Sequence, residues 1–222
     1  MRTFLPESKN QTDNTKAIIK VASNRNKSIA TVAIFAAINI LLHLSPLKIP
    51  APFAPFLIFE IWEIPIFTAF YLYGVRIGVT ITILNFLSLL VIFPGQLQAG
   101  PIYNLIAILA MMFGILLAYR IIGLSSKFQG QTMPFLLAMI LGPLLRVLVM
   151  TPVNAVMLPM PSPLGFNLPI GELEQVLGIP PGTMLLFIAI FNALVALYTI
   201  PYARIITTAI SSKTRITPKY GV

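Results

Sequence analysis

Ile77–Tyr119 reads IGVTITILNFLSLLVIFPGQLQAGPIYNLIAILAMMFGILLAY and contains no charged residue. A membrane span needs roughly 20 apolar residues, so this run is too long for one. Phe93-Pro94-Gly95 and Gly100-Pro101 cut it, and such clusters signal a loop. The stretch therefore predicts two membrane helices, over Ile77–Phe93 and Pro101–Ile122. The second opens on proline, at a position where a missing N–H costs nothing.

The same pattern repeats on both sides. Further apolar runs predict spans at Ser28–Leu44, Ile58–Val75, Met133–Leu158 and Pro181–Ile200, the last continuing past Pro201 into Arg204. Only 9% of the 222 residues are charged and 57% are hydrophobic. Soluble domains carry about 25% charged residues, and a soluble core of this size could not hide so much apolar surface. The reading is an all-α polytopic membrane protein with six transmembrane helices. Residues 1–27 form a basic, flexible tail without an apolar signal-peptide core. Residues 28–210 form the six-helix domain, and 211–222 a second basic tail.

The charges orient it. Thirteen of the fifteen Lys/Arg fall in the two tails, the turn holding Arg76 and the connection holding Arg120 and Lys127. Lys48 lies on the other side and Arg146 within the fifth span. The positive-inside rule then expects both termini in the cytoplasm and the protein in the plasma membrane. Four of six acidic residues, Glu60, Glu63, Glu172 and Glu174, fall outside. The first two open the second span, where the helix dipole favours negative charge. The outer segments Ser45–Leu57 and Pro159–Pro180 are rich in proline, which stiffens them. They read either as interfacial packing or as a lid over an outward-facing pocket.

Several chemistries are missing. There is no cysteine, and His43 is the single histidine, so no metal site is expected. The P-loop, H-E-x-x-H and G-x-S-x-G signatures are absent. No paired carboxylates are expected within a span, which leaves Arg146 as the one ionisable group at depth. An enzyme, a cofactor or a nucleic-acid partner is not expected.

Polar residues within the spans are the candidates for function. Asn39, Asn85, Asn104, Asn154 and Asn192 lie on five helices, mostly in their outer halves, with Thr151 beside Asn154. A side-chain amide both donates and accepts hydrogen bonds. Any one asparagine has a simpler role, bonding a neighbouring helix for about 0.6 kcal/mol. The set, biased to one leaflet, favours a site for a neutral polar ligand. Arg146 sits about 18 Å into its helix at ~1.5 Å per residue. It must face the interior, where it pairs with an outer carboxylate or contacts the ligand. Pro143 and Pro152 flank it, and broken helices are tolerated where they line cavities. In the first span Ala33 and Ala37, four apart, form a small-residue face for close helix approach.

These motifs together resemble the substrate-binding S components of energy-coupling factor (ECF) vitamin transporters, closest to the riboflavin type, over about residues 28–210. The resemblance rests on Phe59-Glu60-Ile61-Trp62-Glu63-Ile64-Pro65, on Asn85, and on Gly100-Pro101 with Asn104. It rests also on Arg146-Val147-Leu148-Val149-Met150-Thr151-Pro152-Val153-Asn154, ending at Leu158-Pro159, and on Phe191-Asn192. It implies a six-helix bundle that binds a vitamin-like molecule near the outer face, with Asn85, Asn104, Arg146, Asn154 and Asn192 as contacts. It implies that Ala33 and Ala37 dock onto a coupling transmembrane subunit and that a pair of ATPase subunits drives uptake. Where riboflavin-type members usually carry a lysine, this chain has Val195, which removes one polar contact. Membrane lipid is the remaining partner. The rival reading is a non-transport six-helix scaffold or assembly protein.

Overall fold

The computed structural model describes residues 8–92, 99–123, 132–214 and 216–220, with side chains from residue 25 onward. Expectations that fall on residues 1–7, on the Phe93-Pro94-Gly95 loop, on Lys127 and on Arg215 lie outside the described residues. The order is α1 (Ser8–Leu44), β1 (Ile49–Ala51), β2 (Ala54–Phe59), α2 (Glu63–Tyr73), α3 (Val75–Ile92), α4 (Ala99–Gly123), α5 (Thr132–Met157), α6 (Ile170–Val176) and α7 (Thr183–Lys213).

Five of these helices are long and apolar enough to cross a membrane: α1 over Arg25–Leu44, then α3, α4, α5 and α7. Each of the last four buries one stripe. In α5 it is Pro134, Ala138, Gly142, Pro143, Arg146, Met150 and Asn154, the three- and four-residue spacing of a single helix face. The opposite faces carry exposed Leu87, Val91, Phe113, Ile140, Leu148 and Ile205, as a lipid-facing surface does. Two buried threonines return their hydroxyls to their own helix, Thr82 to Gly78 O and Thr207 to Ala203 O.

The expected second span, Ile58–Val75, is corrected. Ile58 and Phe59 end a β-strand, and α2 is an 11-residue helix starting at Glu63. At ~1.5 Å per residue it is about 17 Å long, short of a hydrocarbon core about 30 Å thick. It need not face lipid, because Glu63 through Leu72 are all buried. Its Phe67, Phe70 and Tyr71 form the main core with Ile81, Met111, Ile115 and Ile200. Among the described residues the fold is thus mostly helical, with five helices long and apolar enough to span a membrane and one short central helix.

The proline-rich segment before α2 is a β-hairpin, Ile49 pairing with Phe59 and Ala51 with Ala54. Its register shifts after Pro50, and proline, lacking an amide donor, is found at such irregularities. Glu60 does not lie in α2 as expected. It ties the hairpin down instead, its carboxylate taking Lys48 Nζ at 3.3 Å and the Trp62 indole N–H at 2.8 Å. Its carbonyl accepts from Tyr198 Oη of α7 at 2.5 Å. The second proline-rich segment contains a helix the sequence reading did not expect, α6. Its Glu174 is buried and accepts the Met184 N–H at 3.0 Å, satisfying an open donor at the start of α7.

At the opposite end α1 begins at Ser8 rather than at the expected Ser28, and α7 runs on to Lys213 through Pro201. The C-terminal segment turns back beneath α2. Lys219 N and Tyr220 N both donate to Tyr71 O, and the Tyr220 ring stacks on Phe70 at 4.8 Å. Gly74, at φ 92, makes the one-residue turn from α2 to α3 that this arrangement covers.

Candidate functional site

Arg146 organises the end of the bundle that carries the hairpin. α5 passes unbroken through Pro143 and Pro152 and holds Arg146 on its buried stripe. The guanidinium meets Glu63 of α2 bidentately, Nη1 to Oε2 at 2.5 Å and Nη2 to Oε1 at 2.9 Å. Its Nε donates to Asn192 Oδ1 of α7 at 3.0 Å. Glu63 is 4% exposed and Arg146 3%. Breaking a buried pair by removing one partner costs about 3–5 kcal/mol, because the survivor is left uncompensated. Of the two roles expected for Arg146, pairing with a carboxylate is the one observed, so it is not the one ionisable group at depth. Glu63, read from the sequence as an outer carboxylate, is inside and neutralises it.

The asparagines divide. Asn192 also donates through Nδ2 to Ile188 O at 2.9 Å, which fixes its Oδ1 toward Arg146. Asn154 donates through Nδ2 to Met150 O at 2.7 Å, so its carbonyl is left for another partner. Asn104, Arg146, Asn154 and Asn192 all line one cavity of about 330 Å³. Phe56 and Leu57 of β2 and Phe166 and Leu168 of the α5–α6 connection close it from outside, so both proline-rich segments contribute walls. Asn85 is not among those walls. It is buried in α3, with its Oδ1 unpartnered among the described residues. Asn39 lies elsewhere, donating to Trp62 O at 2.5 Å and so tying α1 to the start of α2.

Tyr103 was missed. Its ring, 8% exposed, lines the cavity and meets Phe166 edge-on at 5.1 Å. Its hydroxyl is buried with no partner among the described residues. Its place beside Asn104 was the available signal, but a tyrosine near a span end ordinarily reads as an interfacial anchor. Glu63 left a clearer signal, since a lone arginine at depth needs a counter-charge.

Two larger hollows, of about 510 and 640 Å³, open elsewhere. One runs along Ile34, Ile38, Pro65 and Ile206, the other along Ile49, Leu194 and Tyr202. Their walls are almost wholly apolar and largely exposed. Polar side chains converge on the smaller cavity, which marks it as the candidate site. Ala33 and Ala37 take no part in it. Both are exposed on α1 beside Ile34 and Ile38.

Neither a protein-family model nor a curated protein sequence matches the chain. A solved structure does. The chain is similar to the S component of a bacterial ECF transporter at TM-score 0.63 and 17% identity, over 85% of this chain and 98% of that one. At that identity the likeness is one of fold, and the fold of this chain is that of an ECF transporter S component.

Proposed function

We propose that this protein is the membrane-embedded binding subunit for uptake of a small vitamin-like molecule, with riboflavin the first candidate. A coupling membrane subunit and a pair of ATPase subunits, separate from this chain, supply the energy. The observation that carries the reading is the meeting of Asn104, Arg146, Asn154 and Asn192 from three helices on one cavity. The S-component fold supports it. At about 330 Å³ the cavity falls at the small end of ligand sites, which run from roughly 300 to 1,000 Å³. Phe56, Phe166, Phe191 and Tyr103 offer flat apolar surfaces. The Asn154 carbonyl and Tyr103 hydroxyl offer polar contacts to a ligand's edge.

Under this reading both termini are cytoplasmic and the hairpin end faces outward. The distribution of Lys and Arg supports that orientation, and a reporter fused to the C-terminus tests it. The test of function is to purify the protein in detergent, identify by mass spectrometry what it releases on denaturation, and titrate it with riboflavin by fluorescence quenching. Saturable binding is expected. If no vitamin co-purifies or binds, the transport reading falls and a scaffold role takes its place.

A further inference from the structure

Among the described residues, Arg146 is the only charged one on the cavity walls. A guanidinium has five N–H donors. Three are committed, two to the two oxygens of Glu63 and one to Asn192. Glu63 is not itself on the walls; it meets Arg146 from α2. The cavity is therefore lined by an arginine whose charge is cancelled at contact distance from outside the cavity. The other polar groups on the walls, Tyr103, Asn104, Asn154 and Asn192, are neutral. Of the charged side chains at this end of the bundle, Lys48 pairs with Glu60 at the hairpin and Glu174 holds the Met184 N–H. Neither lines the cavity.

We propose that Glu63 is a specificity-determining residue of this site. By discharging Arg146 it leaves a cavity of zero formal charge that takes an uncharged, hydrogen-bonding ligand and rejects carboxylates, phosphates and cations. The proposal rests on the binding-site reading above. Its physical basis is that an ion moved from water into a low-dielectric cavity with no opposite charge to meet it loses hydration that nothing replaces. Without Glu63 the same cavity would hold a bare guanidinium. That group cannot discharge itself by losing a proton.

The test uses pairs of ligands that differ in charge: riboflavin and riboflavin 5′-phosphate, nicotinamide and nicotinate, biotin methyl ester and biotin. Each is titrated at pH 7 against the detergent-purified wild type, E63Q and the E63Q/R146Q double variant, with thermal stabilisation as readout. In the wild type the neutral member of whichever pair binds is expected to bind more tightly. E63Q is expected to move the ratio of the two dissociation constants toward the anion by about tenfold or more, the effect of an unscreened charge at close range. E63Q/R146Q, with both charges gone, is expected to return to the wild-type preference at lower affinity. A wild type that prefers the anion overturns the proposal, and that comparison decides even where E63Q does not fold. An unchanged ratio in E63Q, or a double variant that behaves like E63Q, overturns it as well. If riboflavin fails to bind but a neutral member of another pair does, the riboflavin reading falls and the charge rule stands. A wild type bound by no ligand of either charge overturns both.

Discussion

At the scale of single residues, a side chain's worth here depends on whether its hydrogen bonds are already made. Asn39 donates its amide to Trp62 O away from the cavity, whereas Asn154, on the cavity wall, donates to its own helix and has its carbonyl left for a ligand. Leaving a buried polar group unpaired costs about 1–3 kcal/mol. Asn154→Ala should therefore weaken ligand binding by about 5- to 150-fold, since 1.4 kcal/mol is tenfold, and Asn192→Ala should weaken it through Arg146, whose Nε loses its acceptor on the cavity wall. Asn39→Ala should instead lower the unfolding temperature and leave affinity alone. Titration and thermal unfolding of each variant check this, and unchanged affinity in both cavity variants would reduce those residues to links between helices. Tyr103→Phe makes a sharper case, because the hydroxyl has no protein partner to lose. Ligand affinity should fall about 5- to 10-fold, as for one lost hydrogen bond of about 1–1.5 kcal/mol. The unfolding temperature of the empty protein should hold or rise. A drop in that temperature with affinity intact would show that the hydroxyl serves the fold. Residue types and spacing made Asn104, Arg146, Asn154 and Asn192 readable as a set. That Arg146 calls for a carboxylate was readable, but not that Glu63 supplies it or that Tyr103 faces the cavity, because those roles depend on which groups meet across helices, and that is not a property of local sequence.

At the scale of elements, apolar burial adds little to helix association in a membrane, since lipid tails are as apolar as leucine. Close backbone approach matters more. A Cβ built on Gly114 of α4 would stand 2.3 Å from Leu141 O of α5. Gly114→Ala must push these helices apart and should lower the unfolding temperature. Gly171→Ala, in α6 with nothing within 4 Å of the added atom, should be neutral or stabilising by up to about 1 kcal/mol. Parallel melts of the two variants decide it, and equal melting temperatures would refute tight α4–α5 packing. The full-length helices were legible because charge-free apolar runs bounded by Gly and Pro carry a strong signal. The expected Met133–Leu158 became Thr132–Met157, and Pro101–Ile122 became Ala99–Gly123. The hairpin and α2 were not. No breaker separates Ile58 from Glu63, so strand and helix merge into one apolar run, and the prolines that end ordinary strands here sit where the pairing slips.

At the scale of the whole molecule, two surfaces stand apart: the cavity at the hairpin end and the exposed alanine face of α1. If the face docks a coupling subunit, the two should be separable. Replacing Ala33 and Ala37 together with tryptophan should abolish cellular uptake while ligand affinity of the purified protein stays at wild type. Loss of both would assign the alanines to folding. Between these surfaces lies α2, buried on every side, and its bonds reach far along the chain. Glu63 meets its arginine 83 residues later, and its last turn receives the N–H groups of Lys219 and Tyr220. Ribosomes add about 5–20 residues per second, so the carboxylate precedes its partner by roughly 4–17 s. The carbonyl of Tyr71 waits longer still, for Lys219 and Tyr220. The helix at the centre of the finished bundle is synthesised ahead of most of its neighbours and is completed only when they have followed.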